Sequence, residues 1–204
     1  MRMLPVWMMA VELAFTGCSV HDNTVDDKNT EAKRSIVILY ENDVHCAIDG
    51  YAGYVGLRDA INRADTAYTG LVSAGDFLQG DLSGAFSKGQ YIVDIMKHVG
   101  YDAITLGNHE FDYKVDRMKE LLPQIGAPVV CSNFFEYGGT QPVYQPYVIK
   151  QYGDKRIAYI GTLTPETMNS EGYSFFGTTG KQLYDLRTNQ VYSLVQEAVD
   201  KARG

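Results

Sequence analysis

The sequence predicts an α/β protein with a mainly parallel β-sheet and flanking helices. Short, continuous apolar runs rich in β-branched residues recur between residues 35 and 133, as in strands that are covered on both faces. Segments with the apolar spacing of amphipathic helices separate these runs. Such alternation is typical of βα units, whose successive strands run parallel and carry helices on both faces of the sheet.

Four apolar runs are predicted to form the strands of this sheet. They are SIVILY (35–40), TGLVSAG (69–75), DAITLG (102–107) and APVVCSN (127–133). Apolar stripes at helical spacing predict the intervening helices over residues 55–61, 92–99 and 115–125. The third stripe is followed by Gly126 and Pro128, which are stop signals for a helix.

The pattern changes after residue 146. The segment YVIKQYGDKRIAYIG (147–161) has two apolar stretches around Gly153 and Asp154 and is predicted to form an antiparallel hairpin. The segment NSEGYSFFGTTGKQ (169–182) is predicted to be a loop. Apolar residues from Val191 to Val199 predict a last amphipathic helix. The folded domain is therefore expected to span residues 36–204.

The N-terminus is predicted to be an export signal. Residues 1–18 contain Arg2, an apolar stretch and the ending FTGC, and they resemble a bacterial lipoprotein signal that is cleaved before a lipidated Cys18. A plain secretory signal with an incidental cysteine is the alternative. Residues 19–35 are polar and are predicted to be a disordered tether. The protein is therefore expected outside the cytoplasm, in contact with the membrane only through a lipid anchor.

Composition disfavours a nucleic-acid polymer as partner, because the 204 residues carry a net charge of −7 without a basic run and polymer binding requires neutralisation of phosphates. The chain is long enough for one domain with a sizeable core. Cys46 and Cys131 lie in apolar contexts and are expected to be two buried thiols.

Polar side chains follow three of the predicted strands, where open α/β sheets bind their ligands. Two of these residues share one face of an extended segment after the first strand, one follows the second strand, and three follow the third: Asp43, His45, Asp76, Asn108, His109 and Asp112. Each residue alone is compatible with a turn or a helix cap. Their shared position in successive βα units instead predicts one common site.

At these positions the sequence resembles a known family. The segments NDVH (42–45), GDFLQGD (75–81) and GNHEFD (107–112) are similar to the first three motifs of the calcineurin-like metallophosphoesterases. GLRDAINR (56–63) and GTLTPET (161–167) add a resemblance to the N-terminal catalytic domain of secreted bacterial 5′-nucleotidases. The resemblance implies a four-layer sandwich, of which this chain would hold a part that is incomplete at the C-terminus.

The resemblance implies a site with two divalent metal ions. Asp43 and His45 would bind the first ion, Asp76 would bridge the two ions, and Asn108 would bind the second. Mixed oxygen and nitrogen donors suit ions of the zinc, manganese or iron class. Two such ions clamp a phosphoryl group and produce a hydroxide nucleophile near neutral pH. His109 is implied to act on the leaving group, with Asp112 orienting its ring.

Other residues of the family pattern are not matched. The family completes its metal shell with three later histidines, whereas this chain has four histidines in all, of which only His45 and His109 occupy motif positions. We therefore expect a truncated N-terminal part of a larger enzyme, with a further C-terminal domain in the full-length protein. Glu110 is expected to make only a structural hydrogen bond near the turn.

The leading hypothesis is hydrolysis of extracytoplasmic nucleotides to nucleoside and phosphate, with a small phosphorylated molecule as substrate. The first alternative is an inactive or weakly metal-binding fragment, and the second is a 2′,3′-cyclic-nucleotide phosphodiesterase. A different kind of nucleotide-binding α/β domain is poorly supported, because neither G-x-G-x-x-G nor G-x-x-x-x-G-K-[ST] follows the first predicted strand.

Overall fold

The computed structural model describes residues 35–204. The predicted signal segment with Cys18, and the predicted tether up to residue 34, lie outside the described residues. The first strand begins at Ser35, one residue before the predicted start of the domain. No helix in the described part of the chain is long and apolar enough to cross a membrane.

The predicted parallel sheet is confirmed. Its strands are β1 (Ser35–Glu41), β2 (Ala67–Ser73) and β3 (Ala103–Ile104), which are neighbours in that order and run parallel. The fourth predicted strand, 127–133, forms only isolated parallel bridges beside Ile104 and Gln145. The carboxyl ends of three parallel strands therefore open at one edge of the sheet.

Helices follow each of these strands, and three of the four helices lie where the apolar stripes predict them. They are α1 (Tyr51–Ala64), α2 (Leu82–Ser87), α3 (Gln90–Met96) and α4 (Val115–Leu121). The chain continues from α4 as a 3₁₀ turn over Leu122–Ile125 and stops at Gly126, whose φ is +76°. The sequence does not predict α2, since six residues are fewer than two turns of apolar periodicity.

The C-terminal half adds two small antiparallel sheets and two helices. In the first sheet β4 (Phe134–Glu136) pairs with the last strand, β7 (Tyr184–Leu186). The second is the predicted hairpin, formed by β5 (Tyr147–Tyr152) and β6 (Lys155–Ile160). Helix α5 (Thr167–Glu171) lies between β6 and β7 in sequence, and α6 (Val191–Arg203) is the last element.

The prediction of a loop over 169–182 is wrong in its first half. Helix α5 continues into a 3₁₀ turn at Gly172–Phe175, and Phe175 is fully buried. Its ring lies 5.1 Å from the ring centroid of Phe111 and 5.5 Å from that of Phe134. Burial of a phenylalanine is worth about 1.5–3 kcal/mol, so this cluster fixes the turn against the segment that follows β3. Cys46 and Cys131 are free, buried thiols, as predicted.

Candidate active site

The loops that follow β1 and β2 continue the parallel pairing beyond the strands. The backbone N–H of Asp43 donates to the carbonyl of Gly75 at 3.3 Å, and the N–H of His45 donates to the carbonyl of Asp76 at 3.0 Å. The two polar motifs are therefore held side by side by their own backbones. Backbone pairing alone therefore brings Asp43, His45 and Asp76 close together.

The same loops contain unusual backbone conformations. Asp43, His45, Cys46 and Asp76 have φ angles of 54°, 45°, 62° and 58°, a left-handed region that residues other than glycine seldom adopt. Each such residue costs about 1–3 kcal/mol, and such strain clusters at functional sites. The strain directs two chain segments sharply towards each other directly after their strands.

Two glycines allow this close approach. A Cβ atom at Gly80 would lie 1.7 Å from the carbonyl oxygen of His45, and one at Gly107 would lie 2.2 Å from Oδ1 of Asp76. Both distances are far below van der Waals contact, and the first involves backbone. A larger residue at Gly80 would push the segments after β1 and β2 apart. One at Gly107 would push the segment after β3 away from Asp76.

Asp43, His45 and Asp76 form a group suited to a cation. Each offers one ligand atom, and these atoms all lie within 4.8 Å of one another. Asp43 is exposed, whereas His45 and Asp76 are partly buried. The His45 Nε2 atom is 3.7 Å from Oδ1 of Asp43. Two carboxylates and an imidazole are ligands that zinc, manganese and iron accept.

The ring of His45 is oriented for ligation. Its Nδ1 atom lies 3.1 Å from the carbonyl oxygen of Gln79. A carbonyl only accepts hydrogen bonds, so Nδ1 carries the proton and Nε2 of the neutral ring keeps its lone pair. Metal-binding histidines are commonly held in this way. The residues present therefore fit a divalent cation.

The surroundings of Asp76 disfavour its charged form, which a bound cation would stabilise. Burial raises the pKa of Asp76, and the neighbouring Asp43 raises it further, while the backbone N–H of His109 lowers it. That N–H donates to Oδ1 of Asp76 at 2.8 Å. Asp76 is thus linked to the motif after β1 and to the motif after β3.

His109 is paired with Asp112, as the resemblance implies. Its Nδ1 atom lies 3.1 Å from Oδ2 of Asp112, and the side chains are 34% and 20% exposed. Partial burial lowers the pKa of His109, but the hydrogen bond and charge of Asp112 outweigh this effect, so the pKa is raised overall. The His109 ring lies edge-to-face with that of His45, with 4.9 Å between their centroids.

Glu110 does more than the single structural hydrogen bond expected of it. It is fully buried and accepts four backbone N–H bonds of 2.6–3.2 Å, from Asp76, Phe77, Leu78 and Gly107. Burial raises the pKa of Glu110, and these donors oppose the rise. A carboxylate three residues after the glycine of LGNHEFD is the only signal in the sequence that could have indicated this role.

The structure places five of the six predicted site residues in two adjoining sets. The first set is the Asp43, His45 and Asp76 group, and the second is the hydrogen-bonded pair of His109 and Asp112. Asn108 lies between Gly107 and His109, at the start of the 3₁₀ turn His109–Phe111. Its side chain as a second-metal ligand stays a prediction.

Curated proteins with similar sequences include several that are named nucleotidases. The chain is 32% identical to snake venom 5′-nucleotidase of Gloydius brevicauda in an alignment of 152 residues that covers 65% of this chain and 26% of the relative. It is 26% identical to 5′-nucleotidase of Vibrio parahaemolyticus over 82% of this chain and 31% of that protein. It is 29% identical to 2′,3′-cyclic-nucleotide 2′-phosphodiesterase/3′-nucleotidase of Haemophilus influenzae over 52% of this chain and 19% of the relative.

The chain thus spans between about a fifth and a third of the length of these relatives. No protein-family model matches the sequence. Among solved structures, the calcineurin-like phosphoesterase YfkN of Bacillus subtilis shares the fold. The TM-score is 0.65 at 23% identity, over 81% of this chain and 57% of that one.

Substitution Glu110→Gln is expected to lower the free energy of unfolding by about 2–4 kcal/mol, because an amide NH₂ would face backbone donors inside the protein. The measurement is urea denaturation at pH 7. The control is Glu120→Gln, whose side chain is 62% exposed and whose loss should cost less than about 1 kcal/mol. Equal effects of the two substitutions would contradict this role of Glu110.

Proposed function

Since the chain belongs to the calcineurin-like metallophosphoesterase superfamily, and within it to the 5′-nucleotidase family, we propose that it hydrolyses nucleoside monophosphates to nucleoside and phosphate. The observation that carries this proposal is the convergence of Asp43, His45 and Asp76 within 4.8 Å, next to the His109–Asp112 pair. Metal-dependent phosphoester hydrolysis uses side chains that bind a cation, and an oriented imidazole beside them can transfer a proton.

In this proposal Asp43, His45 and Asp76 would hold one divalent ion, and Asp76 and Asn108 would hold a second. Bound divalent ions would neutralise charge on the phosphoryl group and supply a nucleophile from water near neutral pH. The chain's contribution is to fix the donors before the ions arrive. His45 is held by Gln79, and Asp76 is held by the N–H of His109.

His109 is proposed to serve the leaving group. The Asp112 carboxylate accepts the Nδ1–H bond, so Nε2 is the nitrogen that can transfer a proton to the departing alkoxide oxygen. Asp112 keeps the ring in one orientation and favours its protonated form. The hydrogen bond from the His109 backbone N–H to Asp76 keeps His109 close to the residues that would bind the cation.

A second candidate function is hydrolysis of 2′,3′-cyclic nucleotides. The Haemophilus influenzae relative with that name favours it, and the same residues would serve a phosphodiester. A third is that the 204 residues bind metal weakly without turnover. It is supported by the small number of histidines, because none of the four in this chain matches the three later histidines of the family pattern. Assays of phosphate release from AMP and of ring opening of 2′,3′-cyclic AMP distinguish these three functions.

We also propose that the protein works outside the cytoplasm and is anchored by lipid at Cys18. The support is the signal-like composition of residues 1–18.

Substitution Cys18→Ala is expected to move the protein from the membrane fraction to the soluble fraction of expressing cells, because the lipidated thiol would be lost. Cell fractionation with labelled palmitate measures this change, and Cys46→Ala is the matched control because Cys46 is a buried thiol. Unlabelled, soluble wild-type protein would contradict the lipid anchor.

Substitution Asp76→Asn is expected to reduce phosphate release from AMP by about 100-fold or more, because even partners one shell beyond a metal are worth about 10–100-fold. Chelation of the wild-type protein should reduce release similarly, and added Zn²⁺ or Mn²⁺ should restore it. Asp94→Asn is the control, since Asp94 lies exposed on α3. Turnover that survives both chelation and Asp76→Asn would refute the proposed function.

Substitution His109→Gln is expected to reduce turnover of AMP by about 10²–10⁴-fold, the usual contribution of proton transfer. Turnover of p-nitrophenyl phosphate should fall much less, because nitrophenolate leaves without a proton. Steady-state kinetics with both substrates measure the difference, and exposed His98→Gln is the control. Equal losses on the two substrates would contradict a role in leaving-group protonation.

A further inference from the structure

Glu41 is a partly buried carboxylate that the proposed mechanism does not use. It is the last residue of β1 and stands two residues before Asp43. Its Oε1 atom accepts a hydrogen bond of 2.5 Å from the hydroxyl of Tyr101. Tyr101 is buried and lies in the segment that leads into β3. This carboxylate therefore ties the end of β1 across the sheet to the start of β3.

Ser73 extends this network towards the site. It is the last residue of β2, is buried, and lies opposite Glu41 in the parallel register. Burial raises the pKa of Glu41, whereas hydrogen bonds from hydroxyl groups, first from Tyr101 and then from Ser73, lower it. The Ser73 Oγ atom also accepts a long hydrogen bond of 3.5 Å from the N–H of Gly75. A chain of hydrogen bonds thus runs from Tyr101 through Glu41 and Ser73 to Gly75.

Gly75 is bonded in turn to Asp43. The carbonyl of Gly75 accepts the N–H of Asp43 at 3.3 Å, and the carbonyl of Glu41 accepts the N–H of Ala74 at 2.8 Å. Residues 41 and 43 are therefore both bonded to the backbone directly before Asp76. The Glu41 side chain anchors this paired stretch to the sheet.

Asp43 depends on such an anchor, because its side chain is 57% exposed. Two of its side-chain partners, Asn42 and His45, lie on the same loop and do not fix the distance from that loop to Asp76. The ligand atoms of Asp43 and Asp76 lie within 4.8 Å of each other, and two ionised carboxylates this close repel one another. The backbone must therefore hold them together.

We propose that Glu41 is a positioning residue for the Asp43, His45 and Asp76 group, and that it acts by holding Asp43 beside Asp76. The inference rests on the proposed function only in taking these three residues as metal ligands. An anchored backbone keeps the two carboxylates together before an ion arrives, so binding of the ion loses less free energy to the ordering of Asp43. Partners one shell beyond a metal typically change its affinity by about 10–100-fold.

The test is binding of Mn²⁺ to the full chain without substrate, measured from the EPR signal of free Mn²⁺. Tyr101→Phe removes the hydroxyl that donates to Glu41 and should weaken binding about tenfold. Glu41→Leu should weaken it at least as much. Glu41→Gln should retain most of the affinity, because its amide oxygen still accepts the Tyr101 hydroxyl. In an Asp43→Asn background Tyr101→Phe should have a much smaller effect, since Glu41 acts through Asp43.

Tyr159→Phe is the matched control. It also removes a tyrosine hydroxyl with a side-chain hydrogen bond, because Tyr159 bonds to the hydroxyl of Tyr152 at 2.7 Å within the hairpin. The two tyrosine substitutions should lower the urea midpoint by similar amounts, but only Tyr101→Phe should weaken Mn²⁺ binding. A general loss of stability would not separate them in this way.

Equal Mn²⁺ affinity in the wild type, Tyr101→Phe and Glu41→Leu would overturn the inference, as would equal losses in the two tyrosine variants. An undiminished effect of Tyr101→Phe in the Asp43→Asn background, or a wild type that does not bind Mn²⁺, would also overturn it. A wild type that binds Mn²⁺ but releases no phosphate from AMP would refute the proposed function alone, and a loss of Mn²⁺ affinity confined to the Glu41 network would still support the positioning role.

Discussion

The buried carboxylate of Glu110 is the constraint on which the site depends. Its two oxygens accept backbone N–H groups from the segment after β2 and from the segment after β3. These N–H groups lie beyond the strand ends and have no partner in the sheet, and unpaired N–H groups in a protein interior are costly. One ionised side chain satisfies four of them at once. The positions of Asp76 and His109 relative to each other therefore follow from a residue that performs no chemistry itself.

The segment after β1 is positioned by a different device. Its backbone pairs with the segment after β2, and the pairing persists although Asp43 and His45 must adopt left-handed conformations. Neither residue is glycine, so the conformation is maintained by its surroundings and not by local preference. The close approach at Gly80 and Gly107 leaves no room for a side chain at either position. Three strand ends thus become one site through hydrogen bonds of their backbones, to one another and to the Glu110 carboxylate, and these bonds position the predicted site residues.

The sequence predicts the part of this arrangement that depends on local pattern. Alternating apolar runs and helical stripes predict the βα units, and polar residues at the strand ends predict that Asp43, His45 and Asp76 converge. The 3₁₀ turn at Gly172–Phe175 is not predictable in this way, because Phe175 is buried by Phe111 and Phe134 from distant parts of the chain. The spacing of Glu110 from Gly107 is a weak signal of its role for a related reason. Its partners are backbone groups left unpaired only once the sheet has formed.

The two histidines of the site would take two different roles in the proposed mechanism. Their rings lie 4.9 Å apart and each is held at Nδ1, but the acceptors differ. A neutral backbone carbonyl holds His45 and leaves the Nε2 lone pair for a cation. An anionic carboxylate holds His109 and raises its pKa against partial burial, so this ring can carry a proton. Exchange of the two acceptors would place a proton donor among the proposed metal ligands and a ligand beside the proposed leaving group. In the proposed mechanism, the division between metal binding and proton transfer is therefore set by the acceptor of each ring, one step removed from the reacting atoms.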